Sequence, residues 1–397
     1  MPLYKLLAYK TLPLSVGTNI FNRRFLSHKT NNFLSQFIKN ADTHKIAVTD
    51  NHVEWSYKEL HLYSEILSSR LYAKFQDTPN REQLVAIGSF NKPSVTFLLG
   101  LLATWKLGRE FVPLSITHTA NELSYFITDS KIGAVVCESS SDLLPELHQQ
   151  VPYLLETKDL LGKTARKVEQ AMYQRADSDN ALVVYTSGTT GRPKGARHTH
   201  SSVTNMIKSL VSSWQYNERD RILHFLPLYH VHGLVNKLLC VLFVGGRVDF
   251  LHSTAAPGIW KALADCHLNP GSQPLTLFMA VPTVYAKLLE TVDSIPPEQK
   301  RNALLALKSL RLAVSGSAAL PDPIRDRWMH LTGLILLERY GMTELGMALS
   351  NPYMGERRKG YVGMPMPFTL CKIVDDDGSE ITKPNTPGEL RVKVVSF

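Results

Sequence analysis

The sequence predicts an α/β protein with a mostly parallel, helix-covered sheet. Three observations carry that expectation. Strand-like and helix-like patterns alternate along the chain, two helices open on capping boxes, and 397 residues suffice for a large core with subdomains. Apolar residues make up 44% and charged residues 20%, an ordinary globular balance.

The elements follow in order. "KIAVTD" is a short strand, and Ser56-x-x-Glu59 is a capping box opening a helix with Leu60, Tyr63, Leu67 and Leu71 on one face. Next come the strand "QLVAIGSF", a buried helix at "SVTFLLGLLATW" and the strand "FVPL". Thr119-x-x-Glu122 is a second capping box, and its helix leads to the strand "GAVVCES". The strand "ALVVYTS" runs into a Gly-rich loop, and a helix follows with Val203, Met206, Ile207, Leu210, Val211 and Trp214 at helical spacing. A second βα region occupies about 221–349. The tail "CKIVDDDGSEITKPNTPGELRVKV" reads as a small antiparallel β unit with an Asp-Asp-Gly turn.

Composition excludes several classes. The net charge is +9, yet Lys and Arg are spread along the chain with no basic run interleaved with aromatics, so no nucleic-acid partner is expected. Cys137, Cys240, Cys266 and Cys371 form no CxxC or Cys/His pattern, which argues against a zinc site or a disulfide framework. No apolar run reaches the roughly 18–20 residues of a membrane helix. Residues 1–40 contain no Asp or Glu but carry Lys5, Lys10, Arg23, Arg24, Lys29 and Lys39. This reads as a mitochondrial transit-like leader, with "RRFLS" as a cleavage region and the matrix as destination.

The chemistry centres on "YTSGTTGRPKG", Tyr185 to Gly195. A P-loop would place a lysine directly after a glycine and a Ser or Thr after that lysine. Here Lys194 follows Arg192-Pro193, and no GxGxxG is present. What remains is an arc of backbone amides at Gly188, Thr189, Thr190 and Gly191, hydroxyls at Thr186, Ser187, Thr189 and Thr190, and the charge of Lys194. That set suits the β- and γ-phosphates of a nucleotide.

Three further segments follow in order: "LPLYHVHGL" (226–234), "VSGSAAL" (314–320) and "ERYGMTE" (338–344). With the loop, they resemble the signatures of the adenylate-forming superfamily of acyl-CoA synthetases, adenylation domains and luciferases. The resemblance covers roughly residues 45–393. It implies the large N-terminal domain of the adenylate-forming fold, stacked α/β subdomains plus a small distorted β unit. The expected division is a leader at 1–40, an AMP-binding α/β domain at 41–370 and the start of the β unit at 371–397.

The resemblance also implies ATP, Mg²⁺ and coenzyme A, with a carboxylate activated as acyl-AMP and then transferred to the thiol. Thr186 to Lys194 would hold phosphates, Thr343 the α-phosphate and Glu344 the Mg²⁺. Gly316, Ser317 and Ala318 would line the adenine, with Tyr340 stacked on it and Glu338, Gly341 and Met342 beside the nucleotide. His230 would stand by the acyl site, with Val281, Pro282 and Thr283 as a wall and His232 structural.

Within the family, "LERYGMTELGMALSNP" and "LPLYHVHGLVNKLLC" are similar to the members that act on malonate and methylmalonate. Arg339 is the candidate for the distal carboxylate, because a dicarboxylate brings its own counter-charge to a buried guanidinium. The competing reading pairs Arg339 with its neighbour Glu338. The family's later "GD" motif, hinge and lid lysine do not follow "GELRVK", where Val394 stands in place of a glycine. Impaired activity is expected on that ground, and three readings stay open: a truncated product, an incomplete reading of a longer gene, or a non-catalytic nucleotide-binding form. A fatty-acid or aromatic-acid CoA ligase is the alternative substrate reading.

Overall fold

The computed structural model describes residues 32–41, 43–76, 86–90, 93–115, 117–137, 153–156, 179–186, 191–268 and 273–394. They form two compact units. One, here the N-terminal unit, gathers Asn32–Thr204 and Glu218–Thr254; the other, the C-terminal unit, includes Asn205–Asn217 and Ala255 onward. Among the described residues, no helix is long and apolar enough to cross a membrane.

The N-terminal unit contains strands β1 (Ile46–Asp50), β2 (Val53–Ser56), β3 (Ala86–Phe90), β4 (Glu110–Leu114), β5 (Ile132–Cys137), β6 (Tyr153–Glu156), β7 (Asn180–Thr186), β8 (Lys194–Thr199), β9 (Arg221–His224) and β10 (Arg247–Phe250). Six of them run in the order β6-β5-β3-β4-β7-β8, parallel except for the antiparallel β7–β8 pair. Strands β9, β10 and β1 are mutually parallel, and β2 closes a tight antiparallel turn onto β1.

The capping boxes form as read. Thr119 and Glu122 exchange side-chain and backbone hydrogen bonds ahead of the helix Ala120–Asp129, and Ser56 and Glu59 do the same at Tyr57–Gln76. The apolar helix Val95–Lys106 buries every residue from Thr96 to Trp105, which is why it shows no polar face in the sequence. Of the leader stretch, residues 1–31 lie outside the described residues. The helix Phe33–Ala41 buries Phe33, Phe37 and Ala41, with Phe33 edge-on to Trp105 at 5.5 Å.

One expectation needs correcting. The Gly-rich loop does not lead straight into a helix. Lys194–Thr199 forms a strand antiparallel to β7, and the helix His200–Ser213 starts only after it. Strand β8 lies at the edge of its sheet with mostly uncovered side chains, so "KGARHT" needs no apolar alternation and carries no strand signal.

The C-terminal unit holds β11 (Leu277–Ala280), β12 (Leu312–Ser315), β13 (Leu337–Met342), β14 (Gly346–Ser350), β15 (Met364–Pro365), β16 (Thr369–Val374) and β17 (Glu389–Val394). Strands β11, β12 and β13 are parallel, linked by the helices Pro282–Thr291, Pro297–Lys308 and Asp322–Thr332. Strands β14 and β15 add antiparallel pairs, and β16–β17 is a separate two-stranded sheet. Its loop starts as the expected Asp/Gly turn: Asp375 Oδ1 accepts from the amides of Asp377 and Ser379, and Gly378 takes φ +82°.

A buried polar feature sits behind β9. The segment His232–Leu239 is a π-helix running into an α-turn at Cys240–Phe243, buried throughout. Gly233 lies so close to the Pro227 carbonyl that a Cβ would approach its oxygen to 2.1 Å. His224 Nε2 donates to the Gly233 carbonyl at 2.9 Å, while its Nδ1 has no partner. Burial, reinforced by the charge of Lys237, pushes the His224 pKa down to about 3. The unfolded chain therefore binds the extra proton first, and stability is lost as pH falls from about 6.5 towards 3. Acid unfolding followed by circular dichroism should show this loss, on the order of a few kcal/mol, and His224→Gln, which keeps a donor for Gly233, should flatten the slope.

Candidate functional site

In the N-terminal unit, the ends of the Gly-rich loop are fixed as a hairpin. Thr186 pairs with Lys194 and Tyr185 with Gly195. Ser187, Gly188, Thr189 and Thr190 lie outside the described residues. Gly191 has φ +150° with open space around it, and Lys194 is exposed.

The hairpin is anchored by aromatic groups that motif reading passed over. The Tyr185 hydroxyl donates to Asp129 Oδ2 at 2.6 Å and lies 2.6 Å from Ser130 Oγ. Its ring stacks on Phe126 at 4.1 Å. Burial and the Asp129 bond raise its pKa, so the phenol stays protonated. On the far side, the Tyr125 hydroxyl donates to the Pro193 carbonyl at 3.0 Å, and Arg192 lies over the Tyr125 ring. The helix Ala120–Asp129 thus grips both arms of the loop.

His230 is exposed and His232 is buried in the π-helix. His230 packs on Tyr229, and Tyr229 in turn lies 5.4 Å from His118. Although the residue as a whole is exposed, partial burial of its ring beside Tyr229, and then the neighbouring His118, hold the His230 pKa below its ordinary value, so the ring is neutral at pH 7. The Ser115 amide donates to His118 Nδ1 at 3.2 Å, which leaves the proton of neutral His118 on Nε2. His118 escaped the sequence reading; the only signal was a histidine set directly before a capping box.

In the C-terminal unit, the remaining candidates share one sheet edge. Strands β11, β12 and β13 point their carboxyl ends the same way, with Ala280 opposite Ser315 and Ser315 opposite Glu338. The chain leaves β11 at Val281–Thr283 and β12 at Gly316–Ala318, while β13 continues past this edge through Arg339–Met342, paired with β14. The carboxyl edge of a parallel sheet is where open α/β folds bind ligands. Val281 precedes a helix with Pro282 at its first position, Pro282 is buried, and Thr283 is exposed.

Strand β13 and β14 form a bulged hairpin whose tip carries Thr343 and Glu344. Glu344 is exposed in that turn. The hairpin demands glycine at 341, because a Cβ there would meet the Gly346 carbonyl oxygen at 2.2 Å. Tyr340 is half-buried against Ala348, Leu349 and Val362, and Met342 is exposed.

Glu338 and Arg339 do not pair. Adjacent residues on a strand face opposite ways, and Glu338 Oε1 accepts from the Leu320 amide at 3.2 Å. Burial raises the Glu338 pKa. Arg339 is 4% exposed, and Nη2 donates to Ser317 Oγ at 3.3 Å while Nε has no partner. Among the described residues no carboxylate pairs with it. Burial pushes its pKa down to about 10, so it is charged at neutral pH. A charged guanidinium held in that state is a receptor for an anion.

A family profile described as AMP-binding enzyme matches residues 36–395. The chain is 37% identical over 350 residues to the malonate–CoA ligase ACSF3, mitochondrial, of Bos taurus, covering 86% of this chain and 59% of the relative. A malonate–CoA ligase of Arabidopsis thaliana is 34% identical over 380 residues, covering 89% and 61%. The chain thus spans about three fifths of the length of these curated relatives. Among solved structures, ATP-bound MatB from Rhodopseudomonas palustris superposes with a TM-score of 0.76 at 30% identity, covering 92% of this chain and 70% of that one. The α/β fold is that of the adenylate-forming enzymes.

Because Tyr185 fixes one arm of the hairpin loop, Tyr185→Phe should cost about 1 kcal/mol of stability. The same variant should weaken ATP binding several-fold in a calorimetric titration, whereas a surface change such as Lys261→Gln should not.

Proposed function

The chain belongs to the AMP-binding enzyme family, and on that premise we propose that it is an ATP-dependent carboxylate–CoA ligase for malonate and methylmalonate. The acid's carboxylate oxygen attacks the α-phosphorus of ATP, the bond to the β-phosphate oxygen breaks, and pyrophosphate leaves. The coenzyme A sulfur then attacks the acyl carbon of the adenylate and AMP departs with the bonding pair. The first half depends on neutralising negative phosphates at fixed positions, a matter of electrostatics and orientation.

Thr186 to Lys194 would hold the β- and γ-phosphates, with the lysine supplying charge. Thr343 would meet the α-phosphate. Gly316, Ser317 and Ala318 would line the adenine, with Tyr340 against its face and Glu338, Gly341 and Met342 beside it. Glu344 would hold Mg²⁺: it is an exposed carboxylate on a hairpin tip and makes no ion pair among the described residues, which suits a hard cation. When bound, that ion lowers the repulsion between phosphates. His230, neutral at pH 7, would border the acid without adding charge.

Arg339 is the observation that carries the substrate. A medium-chain fatty acid offers nothing to answer a buried guanidinium, and leaving that cation unanswered costs several kcal/mol. Malonate offers its distal carboxylate in bidentate geometry. The relatives named malonate–CoA ligases support the same reading. The mitochondrial matrix is the proposed location, on the acid-free leader and the mitochondrial names of relatives.

Incubation with MgATP, coenzyme A and equal malonate, methylmalonate, acetate and octanoate, read by mass spectrometry, tests the activity. Malonyl and methylmalonyl products are expected; octanoyl products would overturn the Arg339 argument. Arg339→Ala should lower kcat/KM for malonate by about 100-fold or more, the scale of losing a buried charged pair. A fusion of residues 1–40 to a fluorescent protein should enter mitochondria, and a cytosolic signal would refute the location.

A further inference from the structure

Away from the nucleotide and acid candidates, one lysine of the N-terminal unit is arranged for acyl transfer. Lys106 ends the helix Val95–Lys106, shortly before β4 begins at Glu110. Strands β4 and β7 are parallel, and the Gly-rich loop follows the carboxyl end of β7. Lys106 therefore stands at the opposite edge of that sheet from the loop, and no step of the ligation proposed above uses it.

Its partners come from the helix Tyr57–Gln76. Lys106 Nζ lies 3.0 Å from His61 Nδ1 and donates to the His61 carbonyl at 3.0 Å. An ammonium group only donates, so Nδ1 is the acceptor and the proton of neutral His61 sits on Nε2. That Nε2 stands 3.3 Å from Glu65 Oε1, one helical turn along, and the same oxygen lies 3.7 Å from Nζ. Nucleophile, base and orienting carboxylate thus follow one another, the order by which a hydrolase triad activates its hydroxyl. The side chains of Lys106, His61 and Glu65 are 13%, 26% and 29% exposed, so the cluster is sheltered but reaches the surface.

Burial lowers the Lys106 pKa to about 8, against the charge of Glu65, which raises it. At pH 8 about half of these side chains are free amines, against about 0.4% for an ordinary lysine. A free amine has two N–H bonds, and the two acceptors of His61 can take both. The lone pair is then left for an electrophile.

We propose that Lys106 is a modification site that takes an acyl group from a coenzyme A thioester, with His61 as its base and Glu65 as the residue that positions His61. Nζ attacks the thioester carbonyl carbon, a C–N bond forms, and the C–S bond breaks with its electron pair on sulfur. The attacking nitrogen turns positive and must shed a proton. His61 Nδ1 accepts that proton and returns it to the leaving thiolate, so the products are an amide and free coenzyme A. Glu65 faces the imidazolium charge that forms in between. The step needs no ATP and does not depend on the ligase reading, although that reaction would release a thioester of this kind.

In the test, the chain is incubated with acetyl-CoA and no ATP from pH 7 to 9, and acetylation is timed site by site by peptide mass spectrometry. Lys106 should react about ten-fold or more faster than the exposed Lys287 and Lys308, with its half-rise near pH 8. His61→Gln should slow Lys106 about ten-fold or more and leave both exposed lysines unchanged. Glu65→Gln should move the half-rise downward, because the charge that raises the lysine's pKa is gone, and should also lower the plateau. At the plateau every Lys106 is already uncharged, so that fall reports the orientation of His61 and not the charge of the lysine. A Lys106 rate equal to that of the exposed lysines, or one that His61→Gln leaves unchanged with the fold intact by circular dichroism, would overturn the assignment. Should His61→Gln fail to fold, an unchanged plateau in Glu65→Gln overturns it instead.

Discussion

Ala280 pairs with Ser315, and Ser315 with Glu338, so β11 and β12 end in register beside Glu338 while β13 runs on to Met342. Parallel pairing fixes direction as well as register, and every chain exit then lies on the same edge. That constraint turns sequence segments scattered over some sixty residues into neighbours. Val281 can start a helix, Gly316 can start a turn, and Arg339 can continue its strand, all at one border. Apolar residues in the strands behind them, such as Phe278, Val314 and Leu337, are fully buried and give the edge its rigid base.

The N-terminal unit solves a different problem. A Gly-rich loop gains its reach from backbone freedom, and the same freedom makes its ordering expensive. The structure limits that cost at the two ends of the loop. The β7–β8 pairing sets the separation of the two arms, and Tyr125 and Tyr185 fasten each arm to the helix Ala120–Asp129. The capping box at Thr119 then matters for the loop as well as for its own helix, because it fixes the first turn of the element that carries both tyrosine contacts.

Much of this was legible in the sequence, for physical reasons that can be named. The capping boxes are local, and the apolar spacing of the helix His200–Ser213 needs only its own residues to be read. Strand β8 was not legible, since an edge strand facing away from the core leaves no apolar alternation. Nor was the π-helix, whose buried His232, Asn236 and Lys237 break the usual equation of polar with exposed. The site divides the same way. Candidate motif residues can be named from their order along the chain, whereas His118, Tyr125 and Tyr185 make their contacts with partners far away in sequence. Whether Arg339 paired with Glu338 could be decided only by seeing which acceptors each one meets.

That last point has an energetic consequence. A strand separates neighbouring side chains onto opposite faces, so Glu338 does not neutralise Arg339. Glu338 spends its carboxylate on a backbone amide, and Arg339 is left with one neutral hydroxyl. The empty protein bears that desolvation without return, and packing cannot relieve it because Gly316 already yields all the space it has. On the proposed reading, an anion that entered would find a charge already stripped of water and already oriented, so the reorganisation that weakens such pairs in solution would have been met in folding. The cost of burying Arg339 beside a single neutral hydroxyl is thus borne by the fold itself.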